Sequence, residues 1–391
     1  MRLARVLTRL NLGGPARQVL ASDPLLMERG FELRVFTGES GPGEGDLTDE
    51  LRAAGVDVRR VPGLGRTPAP LADLRALLHL RRELRAFAPH VVHTHASKAG
   101  LLGRLAARAV PGVRRVHTFH GHVLEGYFSP GRSRLVTRLE ACLARGTDRV
   151  LAVSHATADD LLRLGVVAEE RLTVAPPGVN LEELLALPRP RSVPGPGQAG
   201  GLRAELGLPE EAVLAGLVGR LAPVKQPLLA LEAFLRAAKQ APDLHLVFVG
   251  DGPERSSLLA AQTALADSLR ARVHLIGAIT DRESVFSALD LVVLSSRSEG
   301  LPVCLIEGAA AGLPAVSLAV GGVGEVIAHE RTGFLAETVD ELAAGLLRLA
   351  LSPGERAACG RRARVRVAKR HGAAALAERL AAVYRAVLEG A

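Results

Sequence analysis

Two glutamates, Glu299 and Glu307, stand eight positions apart in the run Ser295-Ser-Arg-Ser-Glu-Gly-Leu-Pro-Val-Cys-Leu-Ile-Glu307. Glu299 falls in the loop after the apolar run Leu291–Leu294. Glu307 falls inside a helix opened near Pro302, a residue suited to the first helical turn. Ile306, Gly308 and a run of alanines flank Glu307, so it should be largely enclosed, and a poorly solvated carboxylate needs partners. Ligand hydroxyls would serve, and so would a nearby arginine. A second pair is cationic. Gly219-Arg-Leu-Ala-Pro-Val-Lys225 follows the run Val213–Val218, and the Arg220 fork with the Lys225 point charge at a strand mouth can neutralise a diphosphate. The plainer reading is two solvated cations on a loop.

Three glycine-rich turns also follow β-type runs: Asn11-Leu-Gly-Gly-Pro-Ala-Arg17, Gly250-Asp-Gly-Pro253 and Val320-Gly-Gly-Val-Gly-Glu325. Free backbone N–H groups in such turns can cradle a phosphate. Each turn alone is unspecific, and the first equally suits a tight strand–helix turn. His93, His95, His117, His120 and His122 place five of the twelve histidines within 30 residues. Residues i and i+2 share a strand face, so His93/His95 or His120/His122 could offer paired imidazoles to a metal. The nearest carboxylate is Glu125, outside those pairs. We therefore read polar strand ends lining a cleft, with His120 functional and no metal site.

Elements must hold these residues. The first half alternates β-type runs (Ala4–Leu7, Leu33–Phe36, Val56–Val61, His90–His95, Arg115–Phe119, Arg149–Val153, Leu172–Ala175) with helical patterns such as Leu71–Phe87. A second series follows a Pro/Gly-rich stretch: Val213–Val218, Leu244–Val249, Val273–Ile276, Leu291–Leu294 and Ala315–Leu318. Strand–helix alternation predicts parallel sheets covered by helices, and ligands of such sheets bind at the carboxyl ends of the strands. The expected organisation is an α/β chain of two Rossmann-like, doubly wound domains facing across a cleft. Residues 1–177 form the first and 205–370 the second, with a linker over 178–204 and a C-terminal helix in 371–391.

Composition narrows the classes. The chain has 391 residues, 48% hydrophobic and 23% charged, which is ordinary globular usage. Three cysteines without a Cys-x-x-Cys exclude a disulfide framework and a cysteine-based zinc site. Arg2, Arg5 and Arg9 interrupt any apolar stretch near the start, so no signal peptide is expected. The longest uncharged run, Gly308 to Gly324, has 17 residues and contains Pro314, too short and broken for a membrane helix. The expected location is cytoplasmic. The net charge of +8 resides entirely in residues 1–180, and residues 66–139 alone carry +10. Arg75, Arg81, Arg82, Arg85, Arg104, Arg108, Arg114, Arg115, Arg132, Arg134 and Arg138 supply most of it. Nucleic acid is disfavoured as a partner, because aromatics are 3% and Trp is absent. An anionic membrane surface fits a basic, leucine-rich face, while a general preference of the chain for Arg over Lys explains it as well.

Taken in order, G-G, G-R-L-x-x-x-K, G-D-G-P, E-G-L-P-x-x-x-x-E and G-G-x-x-E resemble glycosyltransferase family 4, retaining enzymes of GT-B architecture. The stretches His93-Thr-His-Ala-Ser-Lys-Ala-Gly100 and His117-Thr-Phe-His-Gly-His122 are similar to that family's first domain. The resemblance spans essentially the whole chain and implies a retaining transfer from a nucleotide-sugar to a hydroxyl of a glycan or polyprenyl-linked acceptor. It implies that Arg220 and Lys225 hold the donor diphosphate and that Glu307 accepts from the ribose hydroxyls. Glu299, with the backbone of Gly300 and Leu301, would face the donor sugar, and Gly322 and its neighbours the phosphate or sugar. His120 would meet the sugar near the reacting carbon, and Gly13 and Gly14 would close on the donor. Gly250 would add a further donor-side turn. A base site near Leu275–Ile279, including Ile276, needs only backbone groups, so the base is not named; UDP is favoured on family frequency. The C-terminal helix would return to the first domain. No cofactor is implied, the nucleotide-sugar being a substrate, and metal dependence should be low. The last loop has Gly324 before Glu325 where the family often has Pro.

Same-face attack, with the leaving phosphate taking the acceptor proton, explains retention without a placed nucleophile. Glu299 as a covalent nucleophile is the less favoured route. Two alternatives stay open: a GT-B nucleotide-sugar epimerase, and a two-lobed sugar-binding protein without catalysis.

Overall fold

The computed structural model describes residues 1–41, 45–121, 130–188 and 201–390. The chain divides into two compact units, Met1–Val179 with His371–Ala391, and Asn180–Arg370. Each is an α/β unit built on one wholly parallel sheet.

The first sheet has seven strands: β1 (Arg2–Leu7), β2 (Glu32–Thr37), β3 (Asp57–Arg60), β4 (Val91–His95), β5 (Arg114–Phe119), β6 (Arg149–Ala152) and β7 (Leu172–Val174), in the order β3-β2-β1-β4-β5-β6-β7. The second has six: β8 (Val213–Val218), β9 (Leu244–Val249), β10 (Val273–Gly277), β11 (Leu291–Leu294), β12 (Ala315–Leu318) and β13 (Gly333–Ala336), in the order β10-β9-β8-β11-β12-β13. In both, the chain winds outward from the first strand and then returns to lie on its other side. The direction of winding therefore reverses between β1 and β4, and between β8 and β11. Both units are Rossmann-like, the architecture of GT-B enzymes.

Alternation along the buried strands gives each sheet two apolar faces. In the first unit Leu3, Leu33, Val91, Val116 and Leu151 pack on one face against Leu376, Leu380 and Tyr384 of the helix Ala373–Glu389. Ala4, Val6, Phe36 and Val92 pack on the other against Leu80, Leu84, Ala99 and Ala106. Two of the last unit-1 residues are fastened close to the start of that helix. Val179 forms a parallel bridge to Gly372, and the buried His371 ring meets the Pro177 carbonyl at 2.9 Å. In the second unit Leu217, Phe234, Leu246, Phe248, Val293, Val316 and Phe334 share one cluster.

Three sequence expectations change here. The span 178–204 is not all linker. Its described part includes the helices Glu182–Ala186 and Leu202–Glu205, anchored in the second unit by the buried Leu184 and Leu202; residues 189–200 lie outside the described residues. Strand β13 was not expected from the sequence, since its four residues open on Gly333 and carry no alternation. The basic face of the first unit is smaller than its arginine count suggests. Arg104 is 2% exposed and bonded to Glu140 at 2.5 Å, while Arg114 and Arg115 share Asp148. Arg75, Arg81, Arg82, Arg85, Arg108, Arg132, Arg134 and Arg138 are exposed.

Among the described residues no helix is long and apolar enough to cross a membrane.

Candidate functional site

In the second unit the loops after β8, β9, β11 and β12 meet one another. Gly219, one residue past β8, donates its N–H to the Val249 carbonyl at 2.9 Å, and Leu221 N–H donates to the Asp251 carbonyl at 2.9 Å. This places Gly250 flat against Gly219: a Cβ on Gly250 would stand 1.9 Å from the Gly219 carbonyl oxygen, and its φ is +147°. Only glycine fits. The same holds between the β11 and β12 loops. Gly321 has φ +49°, and a Cβ there would stand 1.9 Å from the Glu299 carbonyl oxygen. Gly322 N–H reaches the Gly300 carbonyl at 3.1 Å.

The two strands at the reversal of winding bring the charged residues together. Lys225 ends a single 3-10 turn, Pro223–Lys225, after β8. Ser295, at the end of β11, donates to the backbone carbonyls of Lys225 and Gln226 at 2.9 and 2.8 Å, and Arg297 N–H reaches the Val224 carbonyl at 2.8 Å. So fastened, Lys225 Nζ sits 2.5 Å from Glu299 Oε1, which also accepts from Ser296 Oγ. Lys225 and Glu299 therefore form one unit rather than two separate donor contacts. An ammonium has three donors and a carboxylate about four acceptor sites, so each keeps capacity for a ligand. Arg220 stands on the same loop. Leu301 is buried, and Ile276, half-buried, lies in β10 beside the β9 turn.

Glu307 is 4% exposed in the helix Val303–Ala310. Its carboxylate bonds Arg282 at 3.1 Å, and the same Arg282 nitrogen reaches the Asn180 carbonyl at 3.2 Å. The arginine partner open in the sequence reading is thus present. It neutralises the buried charge and leaves acceptor positions on the carboxylate. Burial pushes the neighbouring Cys304 thiol up to about 12, so it stays protonated and is no nucleophile.

The first unit assembles its own polar centre at its reversal of winding. Strand periodicity sorts the histidines by face. Arg5 on β1 and His93 on β4 are direct partners in register. His93 and His95 lie on one face with Thr118, and their rings stand 4.2 Å apart. His93 is bonded at both nitrogens, to Tyr384 Oη at 2.6 Å and Thr118 Oγ1 at 2.7 Å. His95 meets His120 at 2.9 Å and Arg5 at 3.5 Å. His120, one residue past β5, also lies 3.5 Å from the Gln18 amide. His117 faces the other way, bonded to Thr94 Oγ1 at 2.8 Å. Gly14 opens the helix Gly14–Glu28, which carries Gln18, Ser22 and Asp23. Burial is the main reason that His93, His95 and His117 sit well below the usual imidazole range and that His120 falls to about 3. These rings are neutral. Their nitrogens are engaged by one another and by Tyr384, Thr118, Thr94 and Arg5, and no metal-binding group of three ligands occurs among the described residues. His122 and Glu125 lie outside the described residues.

Sequence reasoning missed Arg282, Ser296, Gln18, Asp23, Tyr384 and, as a site residue, Arg5. An arginine within the apolar run Leu3–Leu7 was the one available signal, because a charge in a buried strand demands a partner.

Residues 12–183 match the model of Glycosyltransferase Family 4, and residues 201–366 that of Glycosyl transferases group 1. A UDP-Gal:alpha-D-GlcNAc-diphosphoundecaprenol alpha-1,3-galactosyltransferase of Escherichia coli is 31% identical over 334 residues, covering 84% of this chain and 82% of the relative. A D-inositol 3-phosphate glycosyltransferase of Streptomyces coelicolor is 31% identical over 346 residues, covering 80% and 73%. In fold, the chain is similar to Anabaena HepE in complex with UDP-glucose, with a TM-score of 0.81 at 21% identity over 99% of this chain and 100% of that one. With both halves matched by the family and both sheets of its architecture, this chain belongs to the family 4 glycosyltransferases and is a glycosyltransferase.

Proposed function

We propose that the enzyme transfers a sugar from a UDP-sugar, with retention of configuration, to a hydroxyl of a polyprenyl-linked or glycan acceptor in the synthesis of a cell-surface polysaccharide or glycolipid. The observation that carries this reading is the meeting of four strand-end loops around Lys225 and Glu299 at the reversal of winding in the second sheet, where open α/β sheets bind ligands. The donor and acceptor named for the Escherichia coli relative, a UDP-sugar and a diphosphoundecaprenol-linked sugar, support the choice of substrates.

In this reading Arg220 and Lys225 meet the diphosphate. Bond breaking places negative charge on that group, and preorganised cations and N–H dipoles acting on developing charge lower the barrier by several kcal/mol. Glu307, held by Arg282, accepts from the ribose hydroxyls. Glu299 and the N–H groups of Gly300 and Leu301 meet the sugar, with Gly322 and Gly250 shaping the turns beside it and Ile276 near the base. For the first unit, the family motif carries His120 and Gly14 over as its own donor-facing residues. The leaving phosphate takes the acceptor's proton. The cations supplied by Arg220 and Lys225 make a bound metal unnecessary.

Thermal unfolding with UDP, GDP and ADP, for wild type and Glu307→Ala, tests the donor assignment. A ligand at 100 times its dissociation constant adds about 2.7 kcal/mol to the protein it binds. We expect a shift with UDP that the variant loses. A shift with another nucleotide only would replace the base, and none at all would overturn the donor reading.

Docking at an anionic membrane has support from the helix Pro70–Phe87. Leu71, Leu74 and Leu78 are 87%, 53% and 55% exposed there, at helical spacing and beside exposed Arg75, Arg81 and Arg82. The helix Pro130–Arg145 exposes Leu135 and Leu139 beside Arg132, Arg134 and Arg138 in the same manner. Each cation near an anionic surface contributes about 1 kcal/mol. Sedimentation with anionic vesicles should exceed that with neutral ones and fall when Leu71, Leu74 and Leu78 become Ser; equal sedimentation removes the membrane role.

A further inference from the structure

Behind His120 lies a line of buried polar side chains that the sugar-transfer reading does not use. Arg5, 1% exposed, bonds Asp23 at 2.9 Å and Ser22 Oγ at 3.2 Å. Its Nη1 stands 3.5 Å from His95 Nε2, His95 Nδ1 stands 2.9 Å from His120 Nε2, and His120 Nδ1 stands 3.5 Å from the Gln18 amide. The line therefore runs from β1 through β4 and the end of β5 to the helix Gly14–Glu28.

The donor inventory gives this line a direction. Arginine has five N–H donors and no acceptor. At 3.5 Å the contact to His95 is long, yet a hydrogen on His95 Nε2 would point at a guanidinium that can only donate. Nε2 is therefore the bare nitrogen, and a neutral imidazole carries its one hydrogen on the other. His95 then donates from Nδ1, His120 accepts at Nε2, and His120 carries its own hydrogen on Nδ1. Gln18 is the one member that can serve either way, because turning its amide exchanges N–H for oxygen, so the mismatch between two donor ends is relieved there.

We propose that Arg5 is a positioning residue: acting through His95, it holds His120 as the neutral Nδ1–H tautomer, so that His120 meets substrate as a hydrogen-bond donor and not as an acid or base. This deepens the reading of His120 as the sugar-facing histidine and rests on it. The titratable and charged groups around the line are Arg5 from β1, Asp23 from the helix Gly14–Glu28, His93 on β4, His117 on β5 and Tyr384 from the C-terminal helix. Burial, and then the Arg5 charge, keep His120 neutral. Asp23 is itself raised to about 6, chiefly by burial and against the pull of the neighbouring Arg5 charge. With Nε2 taken by His95, Nδ1–H is the one hydrogen His120 has to offer, and an acceptor oxygen of the sugar would take it in place of the long 3.5 Å contact to the Gln18 amide.

The test is long-range proton–nitrogen correlation on the full-length protein labelled with 15N-histidine, with the His120 signals identified by their loss in His120→Ala. We expect a protonated Nδ1 and a bare Nε2 at His120, unchanged from about pH 5.5 to 8.5, the range in which an ordinary histidine titrates. A hydrogen on Nε2, or an imidazolium within that range, overturns the proposal. Replacing the buried pair as a unit, Arg5→Met with Asp23→Leu, leaves no unpaired charge and frees His95. The Nδ1–H form of His120 should then give way to a mixture, with kcat falling on the order of tenfold or more, as when a catalytic imidazole loses its tautomer, at an unchanged donor KM. An unchanged tautomer in that variant overturns the role of Arg5. Should the double variant not fold, His95→Phe cuts the line at its middle and must release the same tautomer. Full turnover in His120→Ala, with Nδ1–H still seen in wild type, would overturn the sugar-facing reading alone.

Discussion

Lys225 is bonded to Glu299, and this bond shapes what each residue does. A lysine held 2.5 Å from a carboxylate is preorganised on its loop, so under the proposed donor reading it needs no ordering to meet a diphosphate. Its positive charge is partly matched already, and the added negative charge of bond breaking is what it has left to stabilise. Lys225→Met should therefore lower turnover at saturating donor by about 10²- to 10³-fold, the usual cost of losing one group that acts on developing charge. A variant within a few-fold of wild type in steady-state turnover would remove Lys225 from the reaction. The pair was only half legible in sequence. Glu299 and Lys225 were both identified as chemistry-bearing, but their bond depends on β8 and β11 being neighbours, and 74 residues separate them.

At the scale of elements, the strand-end loops are fitted by backbone contact rather than by side chains. Gly321 combines φ +49° with a Cβ position 1.9 Å from the Glu299 carbonyl oxygen. Gly321→Ala should thus cost about 1–3 kcal/mol from backbone strain alone and displace the segment that carries Glu299. Denaturant unfolding that finds wild-type stability would show that the β11 and β12 loops are not packed in this way. Strands such as Val213–Val218, Leu244–Val249 and Leu291–Leu294 appear where their apolar runs end, because a fully buried parallel strand must be apolar on both faces. Strand β13 was illegible for the converse reason. Four residues opening on glycine pair with β12 only once that strand is in place. Two arginines of the helix Pro353–Ala368 also act at this scale: Arg364 and Arg366 donate to the carbonyls of Leu187, Ala311, Glu325 and Val326 and so tie helices to loops.

For the whole molecule, the buried histidines make stability depend on pH. His93, His95, His117 and His120 are all held below the imidazole value of 6.5, chiefly by burial, and so are His245 and His274 in the second unit. Below pH 6.5 the unfolded chain binds protons that the folded chain does not, so stability falls as the pH falls, down to the folded pKa. Asp23 acts in the opposite sense. Its raised value of about 6 means the folded state binds the extra proton between 3.8 and 6, which adds stability as the pH falls through that window. One carboxyl against six histidines leaves a net loss on acidification, roughly 1 kcal/mol per fully buried histidine for each pH unit below 6.5. Thermal unfolding should therefore begin several degrees lower at pH 5 than at pH 7.5, with amide exchange rising first in β4 and β5. A flat profile would mean that these rings are not neutral.

What the amino-acid sequence determined by itself was the architecture and the cast. Apolar strand runs and strand–helix alternation specify parallel sheets, and glycine, arginine and glutamate at fixed offsets from strand ends carry the resemblance to family 4 glycosyltransferases, because those signals are local along the chain. What only the tertiary structure decided was who meets whom. Arg5 in β1, Asp23 in the following helix and Tyr384 near the C-terminus converge on histidines of β4 and β5 because β4 lies beside β1 and the last helix packs on the same face. A buried polar side chain has to find its partner in space, and here Tyr384 finds His93 across 291 residues of chain.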